Sequence, residues 1–519
     1  MEKARVGVIM EQDRKIKLVI WGTGGQAGST INYNKTWLDN VEIVCFVNNS
    51  HVIGQEEMFY NKKVVAPQQL LKMEFDYILI LSSFVEEISS QIINELNITK
   101  NHIISLEDLS AKIVEQSGIS IIDKNVILYG KDYTEFNYVY HIEQRVASLK
   151  VVTDSAKNGN LCKDVIRLED LPYSIFDYIL VINKDDTEFT EIKKKLCGIC
   201  QSSGEKILSI QQWSPCLAYE HRKTVKEGAP FYYSLVPRPK DGLMALFMEY
   251  LRHCDYAYEK RYIPFVDMQN TLNSYLEDSD MGKKNSWEYF YTQVKAVHGK
   301  SVSQIYSQEN VVIPSLYLKR NKHRDIVKKQ ISRKYLQDIY KKTFAIQDHI
   351  KNKALEEFNQ IFAKAEGQEV VGCIYRGTDY VSIKPANHMI QPELDEFISI
   401  CKERLQKWNC QYLFVATEDE LALEEMKKTF GQYLLYTDQL RYKNTGDKFL
   451  AEIKNNRKND KYLRGEEYLV ALSLLTKCDY LISGQNSGLY GTLIMKESEY
   501  KDLYVFDKGK YAATNTKYL

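Results

Sequence analysis

Short apolar runs that end in glycine or in polar residues recur along the chain. Stretches with apolar residues three and four apart separate them. Lys17-Leu-Val-Ile-Trp-Gly22 reads as a buried strand entering a tight turn. Thr23, Gly24, Gly25, Gln26, Ala27 and Gly28 follow, so the turn fits G-x-G-x-x-A, and Val41 to Val47 supplies a second apolar run. This order predicts the β-turn-α-β opening of a nucleotide-binding Rossmann unit. Gly22, Gly24 and Ala27 are its candidate binding positions, because small residues let the backbone approach a phosphate at a helix N-terminus. The acid that would bind a ribose after the second strand is replaced by Asn48 and Asn49, which are neutral and weaker acceptors.

The pattern then repeats. Val126-Ile-Leu-Tyr-Gly130 echoes Leu18-Val-Ile-Trp-Gly22, and Val151-Val-Thr-Asp154 takes the place of Val44-Cys-Phe-Val47. Phe176-Asp-Tyr-Ile-Leu-Val-Ile182 nearly repeats Phe75-Asp-Tyr-Ile-Leu-Ile-Leu81. Residues 1–115 and 116–215 therefore read as two copies of one α/β module. The second has lost the glycines, since Lys131, Asp132 and Tyr133 follow Gly130, and is expected to be structural or a docking surface. Breakers at Trp213-Ser-Pro, Gly228-Ala-Pro and Pro237-Arg-Pro239 place a boundary near 215–230.

Beyond it, Gly242 to Lys260 has helical periodicity and leads to Tyr262-Ile-Pro-Phe-Val-Asp267, a short strand ending in an acid. Asp267 is either a ligand group at a strand end or the cap of the next turn. Ser286 is a possible N-cap for Trp287-Glu-Tyr-Phe290, and Trp287 reads as core. A charged helical region spans Lys319 to Lys364, with solvated faces explaining its charge. The strand Glu369 to Tyr375 ends in Arg376-Gly-Thr-Asp379, and a guanidinium there can meet a phosphate with two parallel hydrogen bonds. A helix from Pro392 to Lys407 precedes Gln411-Tyr-Leu-Phe-Val-Ala416, which ends in Thr417-Glu418-Asp419. A charged loop, 441–462, reaches Leu463-Arg-Gly465 and another helix. Cys478-Asp-Tyr-Leu-Ile482 then runs into Ser483-Gly-Gln-Asn-Ser487-Gly488 and a last helix, a ready anion site.

Composition changes this picture little. The 519 residues are 44% hydrophobic and 27% charged, with 69 basic and 69 acidic side chains. A formal net charge of zero argues against bulk nucleic-acid binding. No run reaches the roughly 18 apolar residues of a membrane span, and no export signal is visible, so a cytoplasmic protein with reduced thiols is expected. Cys197 and Cys200 have C-x-x-C spacing without the second ligand pair that zinc needs. Asp278-Ser-Asp280 matches a metal-binding D-x-D but follows no strand pattern and reads as a solvated loop.

Arg376-Gly-Thr-Asp379, Ala416-Thr-Glu-Asp419, Leu463-Arg-Gly465 and Ser483-Gly-Gln-Asn-Ser487 stand in the order seen in the α-1,6-fucosyltransferase and Nod-factor fucosyltransferase superfamily, which the chain resembles over about residues 230–510. Protein O-fucosyltransferases are its distant relatives. The resemblance implies a GT-B type catalytic unit of two facing Rossmann-like halves, 230–365 for the acceptor and 366–519 for the donor nucleotide, so that with the two tandem Rossmann-like modules the whole is an α/β chain. It implies a nucleotide-sugar donor, typically GDP-fucose, an inverting reaction and no metal. Arg376 matches the arginine that contacts the donor diphosphate, and Ser483, Gly484, Gln485, Asn486 and Ser487 match the loop near the nucleotide. The family's histidine two residues before that arginine is Ile374 here. Its guanine-binding aspartate aligns with Ala471, and Glu467, one turn earlier, could compensate. The first module resembles nucleotide-binding domains found beside enzymes of bacterial surface-polysaccharide synthesis.

The expected activity is a glycosyltransferase that moves a sugar, fucose among the candidates, to a glycan acceptor, with a lipid-linked glycan reached peripherally at the membrane. Arg376 and the 483–488 helix start would stabilise the departing diphosphate. Asp379, Asp267, Glu418 and His388 are candidates for the base that deprotonates the acceptor. Thr417, Asp419 and Glu467 join the candidate donor contacts. Two alternatives compete: an NAD(P)-dependent sugar-modifying oxidoreductase using the first module, and a non-catalytic nucleotide- or glycan-binding scaffold.

Overall fold

The computed structural model describes residues 14–82, 84–130, 138–153, 165–201, 204–238, 241–271, 273–297, 299–316, 325–384, 388–443, 450, 453 and 455–511, without the side chains of Gln26, Ser29 and Asp379. The chain forms two compact units, Met1–Arg222 with Val312–Lys319 and Lys223–Val311 with Arg320–Leu519. Among the described residues no helix is long and apolar enough to cross a membrane.

In the first unit the chain runs β1 (Lys17–Trp21), α1 (Gly25–Leu38), β2 (Glu42–Val47), β3 (Met58–Phe59), β4 (Lys62–Val65), β5 (Tyr77–Ile80), α2 (Val85–Asn94), β6 (Ile103–Ile104) and α3 (Leu106–Ser117). These strands make a sheet of order β3-β4-β2-β1-β5-β6, parallel except for the β3–β4 hairpin. A second run follows: β7 (Asn125–Gly130), α4 (Val139–Glu143), β8 (Ser148–Thr153), β9 (Tyr178–Val181), α5 (Asp186–Cys200), β10 (Ile207–Leu208) and α6 (Ile210–Trp213). Its parallel sheet has the order β10-β9-β7-β8. With β7 equivalent to β1, β8 to β2, β9 to β5 and β10 to β6, these four strands have the same order in both sheets, and the first sheet adds β3 and β4 at the β2 edge.

The repeat extends to single hydrogen bonds. Leu18 pairs with Tyr77, and Val126 pairs with Tyr178. The Lys17 amide donates to Asp76 Oδ2 at 2.7 Å, and the Asn125 amide donates to Asp177 Oδ2 at 2.8 Å. One carboxylate thus closes the open end of each central strand pair. The β8 correspondence is two residues off the sequence expectation. Ile20 pairs with Phe46 and Leu128 with Val151, so Val151 matches Phe46 rather than Val44. A register shift between Leu18 and Val19 leaves Val44 unpaired in β2, where Val44 and Cys45 pack against the same apolar cluster.

Strand alternation gives each sheet two apolar faces. Leu18, Ile20, Phe46 and Leu79 share one continuous core with Val126, Leu128, Val151 and Leu180, sealed by Trp37 and Trp213. The opposite faces carry separate cores, around Val19, Trp21 and Ile78 in one copy and Ile127, Tyr129 and Ile179 in the other.

The second unit has two α/β halves, as the GT-B expectation requires. Its first half is built on β11 (His221–Lys223), β12 (Phe231–Leu235), α7 (Leu243–Glu259), β13 (Ile263–Val266), α8 (Val302–Gln308), β14 (Asn310–Ile313), α9 (Gln330–Thr343) and α10 (Asp348–Ile361), with the unit boundaries falling inside β11 and β14. The sheet order is β11-β14-β12-β13. The expected cap Ser286 is displaced by one residue: Asn285 is the N-cap of a short 3-10 turn and accepts the Trp287 amide. Trp287 is buried as expected.

The second half contains β15 (Val370–Ile374), α11 (Thr378–Ile383), α12 (Leu394–Lys407), β16 (Tyr412–Ala416), α13 (Glu420–Phe430), β17 (Leu434–Tyr436), α14 (Asp460–Leu475), β18 (Tyr480–Gly484), α15 (Ser487–Met495) and β19 (Asp502–Phe506). Its five strands are all parallel, in the order β17-β16-β15-β18-β19. β15 is central, and the direction of winding reverses between β15 and β18. In an open α/β sheet that reversal leaves a crevice at the strands' carboxyl ends. Gly465 and Gly491 join the halves. A Cβ on Gly465 would overlap Phe290, and one on Gly491 would overlap the Met244 sulfur, so α14 and α15 need glycine where they press against the first half.

Candidate active site at the carboxyl ends of β15, β16 and β18

Arg376 leaves β15 at the crevice. Its Nη1 donates to Glu418 Oε1 at 3.0 Å, and its guanidinium lies 4.8 Å over the Tyr380 ring. Glu418 follows β16, so two neighbouring strand ends meet in one ion pair, with the side chains 26% and 17% exposed. Thr378 locks the same corner. Its hydroxyl donates to Glu418 Oε1 at 3.2 Å, and its amide donates to Asp419 Oδ2 at 3.2 Å. The glycine of Arg376-Gly-Thr is required here, because a Cβ on Gly377 would overlap the Asp419 carboxylate. Thr378 has φ 45°, a left-handed conformation that costs a β-branched residue about 1–3 kcal/mol and recurs at functional sites.

The two sequence motifs therefore form one constellation. Asp419 is chiefly a scaffold: its side chain caps α13 by accepting the Ala422 amide at 3.0 Å, and its own amide donates to Thr417 Oγ1 at 3.1 Å. Thr417 is buried. His388 is brought to the site through Tyr380, whose hydroxyl is 3.1 Å from Nδ1 of the imidazole. Tyr380 was not among the sequence candidates. It lies on α11 while Arg376 precedes that helix, so no helical spacing in the sequence reports their contact. The Asp379 side chain lies outside the described residues.

Three expectations change. Asp267 is fully buried, and its carboxylate accepts the Gln269 and Asn270 amides and the Asn270 side chain at 3.0–3.1 Å. Burial pushes its carboxyl up, with those hydrogen bonds opposing. It caps its own turn, which is the structural alternative, and is not positioned as a base. Glu467, expected to compensate at the base, is clamped by both oxygens to Arg457 at 2.6 and 3.0 Å. Ser483 belongs to β18, is fully buried and gives its hydroxyl to the Gly484 carbonyl, so it presents backbone only.

The rest of that segment reaches the crevice. Asn486 caps α15 by accepting the Leu489 amide at 2.9 Å. The first amides of a helix have no partner within it, and those of Ser487 and Gly488 follow the carboxyl end of β18, the strand paired in parallel with β15. Gln391, absent from the sequence candidates, buttresses the segment by donating to the Gln485 carbonyl at 2.9 Å, in space that a Cβ on Gly484 would fill. Two tyrosines complete the surroundings. Tyr275 accepts the Leu243 amide at 2.6 Å and is pushed up to about 12 by burial. Tyr468 on α14 faces the charges of Arg376 and Glu418.

The D-x-D carboxylates are ion-paired on the surface, Asp278 with Lys461 at 2.9 Å and Asp280 with Lys284 at 3.0 Å. Among the described residues no group of three or more His, Cys, Asp or Glu could hold a metal. Cys197 and Cys200 are unbridged residues of α5.

The glycine loop of the first module has the expected backbone. Gly22 has φ 130°, and a Cβ there would lie 2.5 Å from the Leu81 carbonyl oxygen. Gly24 is the N-cap of α1 and looks into open space, and Ala27 is buried. Where an acid would bind a ribose, Asn48 instead donates to Thr23 Oγ1 at 2.9 Å and accepts the Ser50 amide at 2.9 Å. Asn49 donates to Gln91 at 2.9 Å.

A family model described as C2185-like, N-terminal, matches residues 14–104. No curated protein matches the chain. Among solved structures, NodZ α-1,6-fucosyltransferase soaked with GDP-fucose is similar at 11% identity and a TM-score of 0.33, over 51% of this chain and 93% of that one. Fucosyltransferase NodZ from Bradyrhizobium is similar at 12% identity and a TM-score of 0.31, over 51% and 92%. POFUT1 in complex with GDP is similar at 9% identity and a TM-score of 0.24, over 74% and 99%. At these scores the likeness carries no functional argument, which rests on the geometry above.

Proposed function

We propose that the second unit is a glycosyltransferase that moves a sugar from a nucleoside-diphosphate donor to a glycan acceptor. The observation that carries this reading is the placement of Arg376 at the winding reversal, held by Glu418 and Tyr380 at the end of the strand next to the one that leads into α15. A guanidinium and the first amides of a helix at neighbouring strand ends match the charge of a leaving diphosphate. In the reaction the acceptor hydroxyl oxygen bonds to the anomeric carbon, and the bond from that carbon to the diphosphate oxygen breaks. The nucleoside diphosphate leaves with the electron pair, and the acceptor proton passes to a base. Glu418, Asp379 and His388 remain the candidates for that base. The reading extends to inversion without a metal, to fucose among the sugars, and to surface-polysaccharide synthesis on a lipid-linked acceptor. Asn48 and Asn49, tied into their own turn, give an NAD(P) enzyme no ribose acid at the first module. The test is a transfer assay with GDP-fucose and a panel of GDP- and UDP-sugars. Arg376→Ala is expected to lower turnover at least about a hundredfold, by the loss of a preorganised charge partner. Full turnover in that variant contradicts the proposal.

A further inference from the structure

Tyr468 sits on α14, one turn after the glycine that lets this helix press on the first half. Its side chain is partly exposed, while the ring is packed on most sides. A Cβ built on Gly488 would lie 2.7 Å from the Tyr468 hydroxyl, so the phenol tip reaches the second residue of α15. The charges of Arg376 and Glu418 both act on it, as do Tyr275 and Tyr380. Among the described residues the hydroxyl makes no protein hydrogen bond. That differs from Tyr275, which is committed to the start of α7, and from Tyr380, which is committed to His388. At this part-exposed position water can serve the hydroxyl, and an acceptor on a ligand in the crevice can take the water's place. Burial pushes the hydroxyl up, so it stays a donor at neutral pH.

We infer that the Tyr468 hydroxyl donates a hydrogen bond to a phosphate oxygen of the bound nucleoside diphosphate, and that residue 488 is glycine to leave room for it. This rests on the reading of Arg376 as the diphosphate contact. Three kinds of donor then converge on the leaving group: the guanidinium from β15, the phenol from α14 and the first amides of α15. The phenol adds geometry that a charge alone lacks, since it fixes the diphosphate against one side of the crevice. It also accounts for a glycine in the first turn of α15, a position where glycine otherwise weakens a helix.

The test is titration calorimetry with GDP, UDP and inorganic pyrophosphate on the full chain and four variants. Tyr468→Phe keeps the ring and removes the hydroxyl. It is expected to weaken the binding of the nucleoside diphosphate about tenfold, the scale of one hydrogen bond to a charged group, with an unchanged melting temperature in the absence of ligand. Gly488→Ala is expected to weaken binding in the parent chain and to cost clearly less in the Tyr468→Phe background, where its methyl gains space. Unchanged affinity in Tyr468→Phe, with binding lost in Arg376→Ala, overturns the phenol contact and leaves the site reading standing. Unchanged affinity in both variants overturns the site reading itself. Equal effects of Gly488→Ala in the two backgrounds overturn the steric link between the two residues.

Discussion

The chain contains two strand-turn-helix crevices at winding reversals, one after β1 in the first unit and one after β15 in the second, and they are equipped differently. The first has the better backbone: Gly22 in a conformation open only to glycine, an exposed Gly24 and a helix whose N-cap carries no capping side chain. The side chains tied around it are neutral, with Asn48 closing on Thr23 and Ser50. The second has a strained threonine where the first has glycines, and a converging guanidinium, carboxylate and phenols. A glycine loop gives an anion access to amides, but discrimination and catalysis need charged groups held in place.

Predictions that break or sharpen this contrast run from large to small. Trp213 is fully buried in the core shared by the two copies, and its indole donates to the Val181 carbonyl at 3.2 Å. Trp213→Ala is expected to cost about 3–5 kcal/mol in denaturant unfolding and to leave nucleotide binding at the Arg376 crevice intact. Loss of both would tie that crevice to the first unit.

Acid should weaken the second unit through Glu249. Burial alone raises the Glu249 carboxyl, but His253, Arg238 and Arg252 outweigh it and hold it down at about 2. Its folded value is thus depressed from 4.5. The stability it contributes is present above the unfolded value and disappears as pH falls through the window from about 4.5 to about 2. Melting temperatures of Glu249→Gln and the parent should differ at pH 6 and converge near pH 2. A constant difference across that range contradicts the assignment.

Gly22→Ala meets both a forbidden φ and the Leu81 carbonyl, and is expected to destabilise the first unit by about 2 kcal/mol. A variant as stable as the parent would mean the loop adopts another shape. Asp76→Ala and Asp177→Ala each remove the carboxylate that closes a central strand pair, at about 2 kcal/mol apiece by chemical unfolding. Closely similar losses are expected, because the two bonds are equivalent, and a large inequality would separate the copies.

How much was legible in the sequence follows the range of the interactions. Phe75-Asp-Tyr and Phe176-Asp-Tyr could be matched because the aspartate acts on the adjacent strand in both copies. The β8 match slipped because Val151-Val-Thr resembles several positions of β2 and a one-residue bulge at Val44 leaves no mark in composition. Arg376, Glu418 and the capping Asp419 stood out because strand ends are local features. Tyr380 reached the site through side-chain contacts with Arg376 and His388, and Tyr468 through the packing of α14, neither of which spacing alone reports. Asp267 looked like a ligand because a strand end looks the same whether its acid faces a crevice or its own turn. Glu467 was misjudged because its partner Arg457 lies in a loop whose path no periodicity gives.

The central claim is that the ligand chemistry resides at Arg376 and not at the glycine loop. Thermal shift of the parent chain and Arg376→Ala against GDP, UDP, CMP, ADP and NAD tests it most directly. Ligand at a hundredfold excess over Kd stabilises by about 2.7 kcal/mol, a readily measured rise. The account predicts a rise with a nucleoside diphosphate in the parent and none in Arg376→Ala. A rise with NAD alone, equal in both proteins, would contradict it.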